Sequence, residues 1–155
     1  MTYSLDYRSG QHLDLLGDRY RLLATGEQTD GAVAVVEVTV TPGGGAPPHV
    51  DNNEAIGWYV LDGALVFMVE GEEQTLAAGG WIYSPKGVLH TFRNATEKPA
   101  RALLLAMPAG LDGFFKEVGR TISADDPPQP PTEVEVSTIM KAAPRYGLEF
   151  PATGS

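Results

Sequence analysis

The sequence predicts an all-β protein, either a closed antiparallel barrel or a jelly roll. Its 155 residues include 18 glycines and 12 prolines, which cluster between short runs rich in β-branched and aromatic residues. About eight such runs follow one another at nearly regular spacing, with no helical period between them. This punctuation is typical of β-sandwiches and barrels.

The strongest predicted strand covers residues 32–40, which are dense in valine and are closed by Thr41-Pro42-Gly43. Residues 56–61 and 64–69 flank Asp62-Gly63, a dipeptide that strongly favours a hairpin turn. Five further runs of the same character predict strands at residues 20–25, 74–77, 80–84, 89–93 and 101–107.

The hydrophobic period changes after Pro108. Leu111, Phe114, Phe115 and Val118 are spaced as one apolar helix face, which predicts a helix that packs on the outside of the barrel. The Pro-rich residues 125–131 predict an extended connector.

A second helix is expected to begin at a capping box and to end at a proline. Thr132 and Glu135 have the spacing of the box, and Pro144 stops the helix. With no internal repeat, we expect a single domain over residues 1–155. Its barrel core covers about residues 20–108, and the C-terminal helices and connector cover residues 109–155.

Charge and composition exclude several classes of function. The net charge of −9 leaves no basic patch for nucleic acid and disfavours an anionic membrane surface. The chain has no cysteine, which removes thiolate chemistry and cysteine metal sites. No apolar run reaches membrane-spanning length, and the N-terminus lacks the order of a signal peptide, so a cytoplasmic protein is expected.

Two of the three histidines occupy similar places in the sequence. His49 and His90 each follow a Pro/Gly-rich turn and begin an apolar run, whereas His12 lies apart and is expected to be a surface or packing residue. In a small barrel, this position places two imidazoles at the mouths of two strands. We therefore expect both rings to face one cavity.

Residues 32–107 resemble the cupins, small β-barrels in which two short motifs flank a metal pocket. The second motif is complete as Pro85, Gly87, His90 and Asn94. The residues after Leu111 are similar to the tail of monocupins related to quercetin dioxygenase. The resemblance implies a cupin-type double-stranded β-helix, or jelly-roll barrel, with a short C-terminal helical extension, and it implies a homodimer.

The first cupin motif is degenerate in this chain. The Gly-rich lead-in, His49 and the closing Gly63 are retained. Asp51 stands where the family has a second histidine, and Ile56 stands where the family has a glutamate. Half of the metal motif is therefore present.

Two readings of these side chains remain open. On an extended segment His49 and Asp51 point to one side, and His90 could complete a two-histidine, one-carboxylate set for Fe, Ni, Mn or Zn. Glu54 is a further ligand candidate, since it has the strand parity of Ile56. In the alternative reading the histidines are hydrogen-bonded without metal, Asp51 caps a turn, and Glu54 is solvated.

Strand alternation also predicts an apolar, aromatic-lined pocket, which suits a flat, weakly polar small molecule. The residues expected to line it are Ile56, Trp58, Phe67, Tyr83, Phe92 and Leu105.

Three functions follow from these observations. The first is a mononuclear-metal dioxygenase acting on a flavonoid, polyketide or other aromatic substrate, as the resemblance implies. The second is a metal-independent cyclase, isomerase or dehydratase in which His49, His90 and Asp51 act as acid and base. The third is a small-molecule-binding barrel without catalysis.

Overall fold

A computed structural model describes residues 2–151 of the chain as two antiparallel sheets that face each other. The seven-stranded sheet has the order β11-β1-β2-β3-β10-β5-β8, and the five-stranded sheet has the order β12-β4-β9-β6-β7. In chain order the strands are β1 His12–Leu15, β2 Asp18–Ala24, β3 Ala34–Val40, β4 Gly45–Asp51, β5 Ala55–Asp62, β6 Ala64–Val69, β7 Glu72–Ala77, β8 Trp81–Ser84, β9 Leu89–Arg93, β10 Ala100–Met107, β11 Arg120–Ile122 and β12 Leu148–Glu149. The predicted all-β jelly-roll class is confirmed.

The hairpin at Asp62-Gly63 forms as predicted, and Gly63 adopts the left-handed conformation that the tight turn requires, with φ of 75°. Strands β1, β4, β11 and β12 were not predicted. Strand β4 was missed because Pro47 and Pro48 disfavour a regular ladder. A register irregularity between Ala46 and His49 accommodates both prolines.

The core lies between the two sheets, and β3 provides the clearest example. Ala34, Val36, Val38 and Val40 are fully buried, whereas the residues between them are half-buried on the outer face. This alternation fixes the register of β3 because a slip by one residue would expose the whole apolar set.

The C-terminal extension contains helix α1 (Leu111–Val118), helix α2 (Glu133–Ala142) and a 3-10 turn (Ala143–Tyr146). Thr132 caps α2 by accepting a hydrogen bond of 3.1 Å from the Glu135 N–H. The Glu135 carboxylate instead accepts a hydrogen bond of 3.0 Å from the Leu16 N–H, so half of the predicted capping box forms and the other half ties α2 to the β1–β2 turn. Within residues 2–151, no helix is long and apolar enough to cross a membrane.

Helix α1 differs from the expectation that it packs on the outside of the barrel. Leu111, Phe114 and Phe115 are buried and line the space between the sheets. The helix therefore directs its apolar face toward the interior, where it forms part of the cavity wall.

Candidate metal and substrate site

His49 and His90 lie side by side on neighbouring strands of the five-stranded sheet. The β4–β9 register pairs the two residues directly, and their ring centroids are 4.4 Å apart in an edge-on arrangement. Since His49 and Asp51 are two residues apart on β4, the Asp51 side chain points to the same face. The structure thus brings together three residues that are 41 positions apart at most.

The Asp51 carboxylate is buried between the two imidazoles. Its Oδ2 lies 2.9 Å from His90 Nε2 and 3.4 Å from His49 Nε2. Among the described residues, this is the one group of three metal-ligating side chains whose ligand atoms all lie within 4.8 Å of one another.

Both imidazoles are held by their Nδ1 atoms. His49 Nδ1 lies 2.9 Å from the Pro47 carbonyl oxygen, and His90 Nδ1 lies 3.1 Å from the Val88 carbonyl oxygen. Because a carbonyl oxygen only accepts, each Nδ1 carries the proton in the neutral ring. A neutral ring of this kind presents the Nε2 lone pair toward Asp51, and a protonated ring donates from Nε2 to the carboxylate.

The charge of the buried Asp51 carboxylate must be balanced by a group beside it. Burial raises the pKa of the Asp51 carboxyl, but hydrogen bonding and charge from His49 and His90 outweigh burial and lower the pKa to about 2. The carboxylate is therefore an anion at neutral pH. Both carboxylate oxygens are buried, and Oδ2 lies within reach of both Nε2 atoms, so the cluster is balanced when protons on Nε2, or a cation, lie between the nitrogens and the carboxylate.

Ser84 and Gly87 position the site from the β8–β9 connection. The buried Ser84 Oγ lies 3.0 Å from His90 Nδ1, and the Gly87 N–H donates a hydrogen bond of 3.0 Å to the Asp51 carbonyl. Gly87 has φ of 77°, a conformation that favours glycine. Ser84 was missed by sequence reasoning, although its place directly before the second motif was a usable signal.

Glu54 does not join the three ligand candidates, and the expectation that it is solvated is wrong. Its side chain is 2% exposed, and the buried Oε1 has no hydrogen-bond partner. Burial, together with the charges of Asp51 and Asp112, raises its pKa to about 7, while Lys86 acts in the opposite direction.

A cavity of about 50 Å³ opens beside the three side chains. Ile56, Trp58 and Phe92 line it from the two sheets, as strand alternation predicts. The Trp58 and Phe92 ring centroids are 4.5 Å apart, so the wall beside the histidines is aromatic.

Three other predicted lining residues lie elsewhere. Phe67 is buried behind Trp58, with ring centroids 5.8 Å apart, and belongs to the core. Tyr83 is 50% exposed because Ile82 and Ser84 take the inward positions of β8. Leu105 is half-buried on the outer face of β10.

The error at Leu105 has a simple cause. Three consecutive leucines give no alternation from which the inward position could be chosen, and the structure places Leu104 at the cavity. The predicted residue is therefore one position from the observed one, and this shift reverses the face of the strand.

The rest of the lining comes from segments that sequence reasoning did not connect with the site. Phe150, from the segment after β12, has its ring centroid 5.8 Å from that of His49. The helical period of α1 was a signal for an apolar face, but nothing in the sequence indicated which surface it covers. The missed residues are Leu15, Leu16, Tyr20, Ala46, Pro47, Leu111, Phe114, Phe115, Ile139, Leu148 and Phe150.

Two other singled-out residues have structural roles. His12 is buried on β1, where its ring nitrogens contact the Arg8 carbonyl and the Arg19 guanidinium at 3.0 Å each. Asn94, the last residue of the second motif, is buried and donates hydrogen bonds to the carbonyls of Val40 and Lys98. Asn94 therefore fixes a turn and lies outside the cavity.

Comparisons with known proteins agree with this architecture. The chain is 27% identical over 158 residues to quercetin 2,3-dioxygenase of Bacillus subtilis (strain 168), which covers 97% of this chain and 44% of the relative. An RmlC-like cupin of Shewanella frigidimarina superposes with a TM-score of 0.63 at 18% identity, over 73% of this chain and 96% of that one. The polyketide cyclase RemF of Streptomyces resistomycificus gives a TM-score of 0.60 at 21% identity, over 70% and 80%.

The family described as "Cupin domain" matches residues 36–106. These residues form a cupin domain. The chain spans less than half the length of its quercetin dioxygenase relative, and the two structural likenesses concern the fold.

This cupin departs from the family motif at two positions that the structure now locates. Asp51 takes the place of a family histidine and keeps a ligand atom beside the other two side chains. Ile56 takes the place of the family glutamate and forms part of the apolar wall. The cupin therefore has three converging ligand atoms and one side of the site without a charged group.

Proposed function

We propose that this cupin is a small-molecule enzyme that uses one divalent transition-metal ion, held by His49, Asp51 and His90, to oxygenate an aromatic substrate. The observation that carries the proposal is the convergence of His49 Nε2 and His90 Nε2 on the buried Asp51 carboxylate. Two histidines and one carboxylate are the ligand set of non-haem iron oxygenases, which leaves positions open for substrate and dioxygen.

The donor set fits such an ion for reasons beyond the choice of residues. The hydrogen bonds of Nδ1 to backbone carbonyls fix both rings in the tautomer that binds metal through Nε2. A bound cation also removes the cost of burying the Asp51 charge without a hydrogen-bond donor. When bound, the ion would act as a Lewis acid toward a phenolate or enolate oxygen of the substrate.

The protein's own residues would orient the substrate and exclude water. Trp58 and Phe92 offer an aromatic wall beside His90, while Phe114 and Phe115 line the same cavity from α1. An apolar wall with polar groups at one end suits a planar molecule that carries an oxygen at one edge. The quercetin dioxygenase relative supports a flavonoid, a polyketide or another aromatic compound as the substrate class.

One observation favours a second candidate function. Without a cation, Asp51 and His90 form an acid–base pair at 2.9 Å, in which the carboxylate orients and stabilises an imidazolium. A metal-independent cyclase, isomerase or dehydratase would use such a pair to move a proton.

Dioxygen uptake with quercetin as the probe separates these functions. We expect uptake by the protein loaded with Fe(II), Ni(II) or Mn(II), loss of uptake after chelation, and loss in Asp51→Asn. Asp62→Asn, at an exposed hairpin position, is the matched control and should retain full activity. Uptake that survives in Asp51→Asn would contradict the proposal, and turnover without dioxygen by chelated protein would favour the second candidate.

A second copy of the chain is the proposed macromolecular partner. Tyr59, Trp81 and Tyr83 are each at least 40% exposed on the outer face of β5 and β8, and β8 ends the seven-stranded sheet. Exposed aromatic side chains beside a free sheet edge are typical of protein interfaces. The homodimer implied by the cupin resemblance would bury this surface.

A further inference from the structure

The cavity beside the histidines is too small for the substrate class proposed above. Its volume is about 50 Å³, whereas a cavity known to bind benzene measures about 150 Å³, and a water molecule occupies about 30 Å³ of liquid. A substrate with even one aromatic ring must therefore displace part of the lining, and a larger substrate must extend beyond the cavity.

A second and larger space adjoins the cavity. This outer groove has a volume of about 450 Å³ and lies between the Gly-rich start of β4 and helix α2. Six residues line both spaces and thus form the boundary between them: Leu16, Ala46, Pro47, Phe92, Ile139 and Phe150.

The chemistry of the outer groove is apolar. Val136, Ile139 and Met140 lie on one face of α2 at the spacing i, i+3 and i+4, and all three line the groove. Among the described lining residues the one charged side chain is Arg93, which is already paired with Glu73 at 3.1 Å. A ligand in the outer groove would therefore bind mainly through apolar contacts.

Helix α2 buries few of its residues. Of its ten residues, Ile139 and Ala142 are buried, and its first turn is tied to the barrel by the hydrogen bond between Glu135 and Leu16. Proline-rich chain precedes the helix. Segments with few buried apolar contacts open locally at low cost, so movement of α2 and Phe150 can join the two spaces.

On the basis of the function proposed above, we propose that the substrate is an elongated molecule that occupies both spaces. An oxygen-bearing ring lies beside His49, Asp51 and His90, and a predominantly apolar extension lies in the outer groove against α2. The direction of β9 supports this arrangement, since His90 is at the inner end and Phe92 is at the boundary, about 7 Å further along the strand.

A series of para-alkylphenols tests the proposal without requiring turnover. Binding of para-cresol, para-butylphenol and para-hexylphenol is measured by calorimetry, with and without Zn(II). The phenol supplies the oxygen-bearing ring, and the alkyl chain probes the groove. We expect affinity to rise about fourfold for each added methylene, the equivalent of about 0.8 kcal/mol of apolar burial.

Two tryptophan substitutions on α2 localise the effect. Val136→Trp fills the groove and should abolish the gain from the longer chains while leaving para-cresol affinity within about twofold. Val134→Trp is the matched control, since Val134 is 76% exposed on the same helix and does not line the groove; it should retain the full chain-length dependence.

Three results would overturn the proposal that one substrate occupies both the cavity and the outer groove. These are absence of phenol binding, affinity that does not depend on chain length, and an unchanged dependence in Val136→Trp. A dimer that dissociates in Val136→Trp, without chain-length dependence in the wild type, would assign the groove to a second copy instead. Because none of these readouts involves dioxygen, their failure is distinct from failure of the oxygenase proposal.

Discussion

Oδ2 of Asp51 lies 2.9 Å from Nε2 of His90, although Nδ1 of the same ring already faces two hydrogen-bond partners, Ser84 Oγ and the Val88 carbonyl. The ring is thus fixed at one nitrogen and directed at an anion with the other. This relationship joins the second cupin motif on β9 to the altered first motif on β4.

Ser84 is predicted to set metal affinity through His90. In Ser84→Ala the ring keeps the Val88 carbonyl and loses one of its two partners, so we expect metal affinity to fall by about tenfold, the low end for loss of a group that orients a ligand. Zn(II) calorimetry checks this result. Ser137→Ala, at an exposed position of α2, is the control, and equal affinity in both variants would contradict the positioning role.

Glu54 is predicted to make stability depend on pH. Burial is the main cause that raises its pKa from the ordinary value of 4.5 to about 7 in the folded protein. The folded protein favours the protonated Glu54 carboxyl. Its contribution to the free energy of unfolding is therefore fully present below the pKa that Glu54 has in the unfolded chain, and it is lost as pH rises through about 7.

Glu54→Gln should therefore be more stable than the wild type at about pH 8.5, by up to about 3 kcal/mol, and nearly equal to it at low pH. Urea unfolding at several pH values measures the difference. Glu97→Gln, at an exposed position, should follow the wild type throughout. If the free energy of unfolding of Glu54→Gln depended on pH in the same way as that of the wild type, Glu54 would not titrate in this range.

Leu104 and Leu105 are predicted to differ in their contribution to stability. Leu104 is buried between the sheets and Leu105 is half-buried on the outer face. We expect Leu104→Ala to lower the free energy of unfolding by about 3 kcal/mol and Leu105→Ala by about 1 kcal/mol. The two costs would be equal or reversed if Leu105 faced the cavity, as the sequence suggested.

Tyr83 is predicted to lie at the dimer interface rather than at the cavity. Tyr83→Glu would bury a charge in the interface, so we expect it to raise the dissociation constant of the dimer by at least about tenfold. Sedimentation equilibrium measures the dissociation constant. Tyr7→Glu is the control, since Tyr7 is 85% exposed near the N-terminus, and a dimer unaffected by Tyr83→Glu would place the interface elsewhere.

The sequence predicted the strands that have a local signature. The Asp62-Gly63 turn, the valine run of β3 and the apolar period of α1 each contain their own signal, and each forms near the predicted bounds. The convergence of His49, Asp51 and His90 was also predictable, because strand parity and two motifs place them on one face. Assignment of residues 1–155 to one domain stays a prediction.

Contacts between the site and residues distant from it in the sequence could not be predicted in the same way. Leu16, Ile139 and Phe150 reach the site through the folding of both termini onto the barrel, and no local pattern specifies that contact. Strand β4 was hidden by its prolines, and β12 has two residues, too few for a periodic signal. The outer groove beside α2 was therefore visible only in the fold.

The metal content of the purified protein tests the central claim most directly. Protein exposed to Fe(II), Ni(II), Mn(II) or Zn(II) and then desalted should retain about one equivalent of at least one metal. Asp51→Asn and His90→Ala should each retain less than about a tenth of an equivalent, because catalytic metal sites of this kind use three protein ligands. Retention below about a tenth of an equivalent by the wild type with all four metals would contradict the account.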